Sequence, residues 1–263
     1  MDMPVNQFKR AILSGKMVPY GVWLVSGAPA TAEALGSAGF DFLVVDTEHT
    51  PIEPPQVAEI LRTMAGTPAS AVVRPAWNDM VTVKRLLDVG AQTLLFPFVQ
   101  NADEAKRAVA HTRYPPDGVR GVAAVQRASR WGNVPNYAKT AAAEICVIVQ
   151  IETAAAVDQL PAIAAVPGVD SLFIGPADLA ASMGHLGDFN HADVQAKIKH
   201  AVELCRKAGK PVGTVGPNPE MVIRYLEYGF TWIAINSDIG MMTGRATEWL
   251  GKVKAGAPGI AKA

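Results

Sequence analysis

The chain of 263 residues is 49% hydrophobic and 18% charged, enough apolar material for one large core and a length suited to a (β/α) barrel or two smaller domains. Its 24 basic and 24 acidic residues balance, which excludes the electrostatic footprint of a nucleic-acid binder or of a protein drawn to anionic membranes. A small-molecule ligand is expected instead.

In chain order, the first 15 residues lack the apolar segment of a leader, and no run of about 18 apolar residues follows anywhere. Cys146 and Cys205 have neither a CxxC partner nor a histidine companion, so both read as core thiols of a reduced, cytoplasmic protein. A short amphipathic helix is expected over 8–13, placed to cover the amino end of a barrel. The first strand spans 20–26 and carries Trp23, an aromatic that serves either the core or the site. An Ala-rich helix over 31–38 stops at Gly39.

The second strand, 41–45, runs straight into Asp46-Thr47-Glu48-His49, the kind of polar cluster with which a catalytic loop begins. After a helix over 54–64, the third strand, 69–73, delivers Arg74 ahead of the breaker Pro75. A cation at a strand end is costly unless it meets an anion, so Arg74 either forms a structural pair with Asp46 or Glu48 or faces an anionic substrate. A helix over 78–88, a fourth strand over 92–96 closed by Pro97, and a helix over 102–111 lead to the longest irregular segment, 114–136. A connection of that size is usually functional, either folding over a ligand or touching another subunit.

The next stretch organises the rest. Cys146-Val-Ile-Val-Gln-Ile-Glu152 and Ser171-Leu-Phe-Ile-Gly-Pro-Ala-Asp178 are apolar runs that each end in a carboxylate, separated by a helix-length Ala-rich segment. A right-handed βαβ unit brings Glu152 and Asp178 to the same carboxyl edge, where parallel sheets place their chemistry. Two hard oxygen donors there suit a divalent cation with open positions; as residues that follow strands they also read as helix N-terminal acids. A helix over 191–208, a strand over 211–215, a helix over 219–228, a strand over 232–235 and a last helix over 238–252 complete eight strand-helix units. The pattern fits an α/β (β/α)8 TIM barrel with a short N-terminal helix, one domain over 1–263. A doubly wound sheet is the alternative, but Ser26-Gly-Ala-Pro-Ala30 lacks the dinucleotide fingerprint.

Collecting the strand ends puts His49, Arg74, Gln150, Glu152 and Asp178 on one rim. A cation on Glu152 and Asp178 would chelate a 2-oxo acid, Arg74 would stabilise an enolate oxygen and His49 would transfer the proton, a set suited to enolisation and reversible C–C bond formation. A Schiff-base route needs a lysine at this rim, and Lys210 precedes its strand. The five histidines lack ligand spacing, which argues against a polyhistidine zinc site, and His185 and His191 read as solvated helix-boundary residues. Gly213-Thr-Val-Gly216 is a weak phosphate site because Pro217 lacks a backbone donor.

Val45-Asp-Thr-Glu-His49, Val73-Arg-Pro75, Leu86-Leu-Asp-Val-Gly90, Tyr114-Pro-Pro116, Arg127-Ala-Ser-Arg-Trp131, Val149-Gln-Ile-Glu-Thr153 and Gly175-Pro-Ala-Asp-Leu179 resemble the class II pyruvate aldolases of the 4-hydroxy-2-oxoheptanedioate aldolase family. The resemblance covers nearly the whole chain. It implies a barrel dependent on Mg2+, Mn2+ or Co2+ that splits 4-hydroxy-2-oxo acids into pyruvate, or a related 2-oxo acid, and an aldehyde. By that likeness His49 matches the general base, Arg74 the transition-state stabiliser, Glu152 and Asp178 the metal ligands, and Gln150 and Ala177 the substrate contacts. Trp23 joins them as a candidate substrate contact. The likeness also implies a homo-hexamer, a dimer of trimers that exchange a terminal helix, and gives Asp88 the position that raises the basicity of the histidine. Asp88 precedes the fourth strand, at the opposite rim from its own His49, so the pairing would have to come from a neighbouring subunit; paired with Lys84 one turn away, Asp88 has only a structural role.

Two departures bear on the aldehyde pocket: Ala123-Ala124 stands where the family often has Gly-rich residues, and Phe96-Pro-Phe98 where it has Val-Pro-Met. Two rivals remain. A lyase of the citrate-lyase or malyl-thioester type would favour a longer chain or a basic surface for coenzyme A, and a non-catalytic 2-oxo-acid sensor would need no His49 and would usually carry a partner domain.

Overall fold

The computed structural model describes residues 1–256, and all eight strands expected from the apolar runs are present: β1 Tyr20–Leu24, β2 Phe42–Asp46, β3 Ser70–Arg74, β4 Thr93–Phe96, β5 Cys146–Ile151, β6 Ser171–Ile174, β7 Val212–Gly216 and β8 Trp232–Ser237. They pair in parallel in chain order and β8 returns to β1, so the sheet is a closed (β/α)8 barrel and the doubly wound alternative is excluded. Helices α1 Gln7–Ser14, α2 Pro29–Gly36, α3 Pro54–Met64, α4 Met80–Asp88, α5 Ala102–His111, α6 Tyr137–Glu144, α7 Ala154–Asp158, α8 Leu160–Ala164, α9 Pro176–Ser182, α10 Ala192–Lys207, α11 Pro219–Tyr228 and α12 Asp238–Gly256 surround it.

Short polar side chains decide where several of these helices begin. The fourth starts at Met80 rather than 78 because the Asp79 carboxylate accepts from the N–H groups of Val81 and Thr82, and Asn101 and Asn218 start α5 and α11 in the same way. The single helix expected between β5 and β6 is two short ones, α7 and α8. They meet at Gln159, where Pro161 removes a backbone donor. Helix α6, which the sequence reading did not anticipate, closes the long connection before β5.

Strand alternation sorts the core into two layers. Leu43, Val45, Val147, Val149 and Ile151 face the helices, whereas Phe42, Val44, Val72, Leu95, Cys146, Ile148 and Phe173 fill the lumen. At the amino end the lumen is sealed by aromatic rings: Phe8 of α1 lies 4.9 Å from Phe42 and 5.4 Å from Trp232, centroid to centroid. The Trp232 indole donates to Ser171 Oγ at 2.9 Å and lies so close to the Gly213 backbone that a Cβ there would enter the ring. Helix α1 is therefore the floor of the barrel, as its apolar face implied. Asn6 ties it down, its amide donating to Thr93 Oγ1 at 2.9 Å and to the Glu144 carbonyl at 3.0 Å.

The other terminus is different. Asp238 anchors the start of α12 by accepting from the N–H groups of Val25 and Ser26 at 2.9 and 3.2 Å. Beyond it the helix leaves Met242, Trp249, Leu250 and Val253 more than half exposed. No helix among the described residues is long and apolar enough to cross a membrane.

Truncating the floor should be expensive. Phe8→Ala is expected to lower unfolding free energy by about 3–5 kcal/mol, read from the urea midpoint, because it opens a cavity beneath two fully buried rings. An unchanged midpoint would remove α1 from the core.

Candidate active site

The alternation that fills the lumen continues past the carboxyl ends of the strands, and there it changes from apolar to polar. After Phe42 and Val44, β2 presents Asp46 and then Glu48; after Val72, β3 presents Arg74; after Cys146 and Ile148, β5 presents Gln150 and then Glu152. Register places Asp46 beside Arg74 and Gln150 beside Phe173. Closure of the barrel brings these ends around one mouth. A cavity of about 350 Å³ opens there, lined by Trp23, His49, Arg74, Gln150, Ala177 and Asp178 together with Phe173, Phe189 and Asn236.

Arg74 meets the anions that a buried cation requires. Its Nε and Nη2 donate to the two Asp46 oxygens at 2.8 and 2.7 Å, and Nη1 lies 2.8 Å from Glu48 Oε2. The guanidinium also rests over Trp23, 4.9 Å from the ring centroid, so that ring, 8% exposed, serves both the core and the site. Burial pushes the Asp46 carboxyl up, but the hydrogen bonds and charge of Arg74 outweigh it and hold the group below the ordinary range. Glu48 moves the other way, raised chiefly by burial, with Asp46 and Asp178 adding to the effect against the attraction of Arg74 and His49.

Glu152 has no cation of its own. It is 2% exposed, accepts the Phe98 N–H at 2.8 Å and receives the Gln150 amide on its other oxygen. Phe98 turns its N–H inward from a left-handed backbone conformation (φ 52°). Burial, with the negative charges of Asp178 and Glu48, pushes the Glu152 carboxyl up to about 7 despite those hydrogen bonds. Gly175 makes room for it, since a Cβ there would lie 2.8 Å from Glu152 Oε2. Asp178 stands exposed in the first turn of α9, which follows β6, and β6 pairs with β5, the strand that Glu152 follows, so both carboxylates lie past neighbouring carboxyl ends as the βαβ reading required.

This donor set fits a hard divalent cation. Three carboxylates, Glu48, Glu152 and Asp178, feel one another's charge, and Gln150 Oε1 is buried without a hydrogen-bond partner among the described residues, while Glu48 Oε2 has only the Arg74 guanidinium that Asp46 already shares. Like charges and an unsatisfied oxygen around one mouth are what a cation relieves.

The sequence reading named Asp46 and Glu48 as possible partners of Arg74, and both pair with it, but it counted only His49 of that cluster among the rim residues; the period of two, extended from the lumen residues, places Asp46 and Glu48 there as well. His49 itself is exposed, with Nε2 3.9 Å from Glu48 Oε2. Phe98, read as a determinant of the aldehyde pocket, is not among the cavity's lining residues and acts through its backbone. Asp88, at the end of α4, pairs with the fully buried Arg120 at 2.9 Å rather than with Lys84. Lys210 donates to the Val169 carbonyl, and no lysine lines the cavity. The histidines lack ligand spacing along the chain, and His191 stands at a helix boundary as read, being the N-cap of α10, but the fold adds a proximity. His185, His191 and Asp193 each offer a ligand atom within 4.8 Å of the others, because the connection from α9 to α10 folds back on itself, a proximity that linear spacing does not show.

The Glu152 environment has a testable pH signature. A carboxyl whose folded pKa is raised from 4.5 to about 7 contributes stability that is present below 4.5 and lost as the pH rises through about 7. Chelated wild-type protein should therefore lose about 1–3 kcal/mol between roughly pH 4.5 and 8 that Glu152→Gln does not lose, as read by urea unfolding at each pH. Identical pH profiles would refute an uncompensated buried carboxyl. Gly175→Ala, which pushes on the same side chain, should weaken divalent-ion binding far more than it lowers the melting temperature.

Known proteins share this architecture. The profile of the HpcH/HpaI aldolase/citrate lyase family matches residues 19–243. The chain is 48% identical over 243 residues to the 2-dehydro-3,6-dideoxy-6-sulfogluconate aldolase of Pseudomonas putida, covering 92% of this chain and 95% of that protein. It is 49% identical over 246 residues, 93% of each, to the 4-hydroxy-2-oxo-heptane-1,7-dioate aldolase of Shigella sonnei. Among solved structures, an HpcH/HpaI aldolase/citrate lyase family protein of Burkholderia cenocepacia superposes with a TM-score of 0.93 at 41% identity, over 95% of this chain and all of that one. A barrel whose carboxyl mouth gathers one guanidinium and four carboxylates, matched in sequence over nine-tenths of its length, belongs to the HpcH/HpaI aldolase/citrate lyase family and is an aldolase of that family.

Proposed function

We propose that this single-domain barrel is a class II pyruvate aldolase, which reversibly cleaves 4-hydroxy-2-oxo acids to pyruvate or a related 2-oxo acid and an aldehyde. The observation that carries the reading is the buried Glu152 carboxyl, short of a counter-charge beside Glu48 and Asp178, at the mouth where Arg74 is already held in place. Glu152 and Asp178 would hold the divalent ion, Mg2+, Mn2+ or Co2+, with Glu48 close enough to add its charge. That ion, when bound, supplies Lewis-acid polarisation of the 2-oxo acid's carbonyl and carboxylate.

The chain's own residues do the rest. Arg74 cannot swing freely, since Asp46 holds two of its donors, and so it meets the developing enolate oxygen without reorganising. Gln150 and Ala177 position the 2-oxo acid, and the Trp23 ring keeps water from the guanidinium. His49 takes the proton from the 4-hydroxyl as the carbon–carbon bond breaks. The bonding pair moves into the enolate and the aldehyde departs; protonation of the enolate carbon then gives the 2-oxo acid. Exposure of His49 suits this role in a site completed by another subunit, and the apolar residues on α12 offer a surface for the exchange of a terminal helix in a hexamer. Asp88 of a neighbouring subunit is then the group that tunes His49, because a strand of about six residues spans roughly 20 Å and separates the two within one barrel.

The lyases of the citrate-lyase or malyl-thioester type are the weaker reading: solved citrate lyase β subunits at 16% identity share the fold alone.

Three outcomes test the proposal. Chelated enzyme, and Glu152→Ala or Asp178→Ala, should lose cleavage of 4-hydroxy-2-oxo acids while remaining folded; full turnover after chelation refutes metal dependence. Arg74→Lys keeps the charge but loses the planar fork, so kcat should fall about 10²–10³-fold. Mixing His49→Ala and Asp88→Ala chains should restore part of the activity through interfaces that join an intact His49 to an intact Asp88, and no recovery despite proven subunit exchange refutes a shared site.

A further inference from the structure

The connection between α9 and α10 carries a second set of metal-ligating atoms, apart from the carboxylates of the mouth. It turns at Gly184 and Gly187, both at left-handed φ (82° and 83°), and folds back so that the His185 and His191 rings stack with centroids 3.6 Å apart and planes at 16°. Asp193, in the first turn of α10, has Oδ2 3.7 Å from His191 Nδ1, and one ligand atom of each of the three residues lies within 4.8 Å of the other two. The His185 ring makes no hydrogen bond among the described residues, and the His191 ring only accepts the Asp193 N–H at 3.3 Å. Both imidazoles are half-buried and neither is committed to the core.

We infer that His185, His191 and Asp193 bind a late first-row divalent cation, of which zinc is the representative, and that the ion clips the connection closed; because such a cation lies in the plane of each imidazole that holds it, one ring turns out of the stack on binding. Two imidazoles and one carboxylate are a donor set for zinc, nickel or copper, whereas the all-oxygen set at the mouth suits a harder ion. The clip has a consequence for the cavity. Phe189 lies between the two histidines in the chain and lines the 350 Å³ cavity, and Gln195 of α10 holds its carbonyl at 2.6 Å. An ion joining residue 185 to residues 191 and 193 fixes both ends of the short loop that carries Phe189, and so fixes one wall of the cavity. The helix that leads into the loop, α9, bears Ala177 and Asp178 in its first turn. The inferred site rests on these side chains alone and not on the proposed aldol reaction.

The test is calorimetric titration of Zn2+ into the Glu152→Gln/Asp178→Asn protein, in which the mouth no longer competes. One equivalent per chain is expected. His185→Phe keeps the aromatic stack and removes the ligand; His191→Asn keeps a side chain able to start α10. Each, placed in that background, should weaken binding at least about tenfold, since even outer-shell partners of metal ligands are worth about 10–100-fold in affinity. Hydrogen exchange over 184–191 should slow on zinc addition to the otherwise wild-type chain and not in His185→Phe. Melting temperatures in chelator show which variants are folded, and if His191→Asn is not, His185→Phe decides. Absence of zinc binding, or equal affinity with and without His185, overturns the site; binding with unchanged exchange over 184–191 overturns the clip. Because the titration reads binding and not turnover, its failure is distinguishable from failure of the aldolase reading.

Discussion

A closed barrel of parallel strands has one inside, and the alternation of side chains along each strand obliges every second residue to face it. In this protein that constraint sets both the core and the chemistry. The positions that carry Phe42, Val44, Val72, Cys146 and Ile148 in the lumen continue, without a change of parity, into Asp46, Arg74, Gln150 and Glu152 at the carboxyl mouth. A shift of one residue in any of these strands would turn its functional side chain toward the helices. The aromatic seal at the amino end, built by Phe8, Phe42 and Trp232, packs the far end of the same lumen.

Charge at the mouth is arranged unequally. Arg74 is satisfied by Asp46, in a two-point contact that also settles the ionisation of that carboxylate. Glu152 is held by the Phe98 N–H and by Gln150, neither of which carries a charge. One cation and four carboxylates therefore leave the mouth with excess negative charge in a poorly solvated place. A fixed guanidinium on one side and a demand for a cation on the other form the polarity on which the proposed stabilisation of an enolate rests. The strain and packing that sustain it are local: a left-handed Phe98, and Gly175 where no side chain fits.

The molecule's two ends differ in their relation to solvent. Helix α1 is absorbed into the floor, whereas α12 is anchored through Asp238 and leaves its apolar side chains uncovered. Between β4 and β5, residues 114–136 carry Arg120, which Tyr114 and Asp88 both hold: the guanidinium lies over the tyrosine ring at 4.5 Å and bonds the carboxylate at 2.9 Å. That packing makes the long connection an ordered part of the amino-side surface and places Asp88 within it.

Hydrophobic periodicity and punctuation by Pro, Gly and helix-capping residues determined a great deal unaided. Short apolar runs separated by amphipathic segments located all eight strands, and the residues just past them, His49, Arg74, Gln150, Glu152 and Asp178, were legible as a rim because parallel strands share one carboxyl edge. Local signals also set limits: the start of α4 lay with the Asp79 side chain, and the break between α7 and α8 with Pro161, both smaller than the window over which periodicity is read. Tertiary structure alone decided the rest. Whether Arg74 is paired depends on the β2–β3 register, and whether Glu152 is uncompensated depends on its burial opposite Phe98. His185 and His191 stack only because a loop with two left-handed glycines reverses the chain. Each of these is a distance between residues far apart along the chain or turned by a loop, and a linear pattern carries the direction in which a side chain points far better than it carries what that side chain meets.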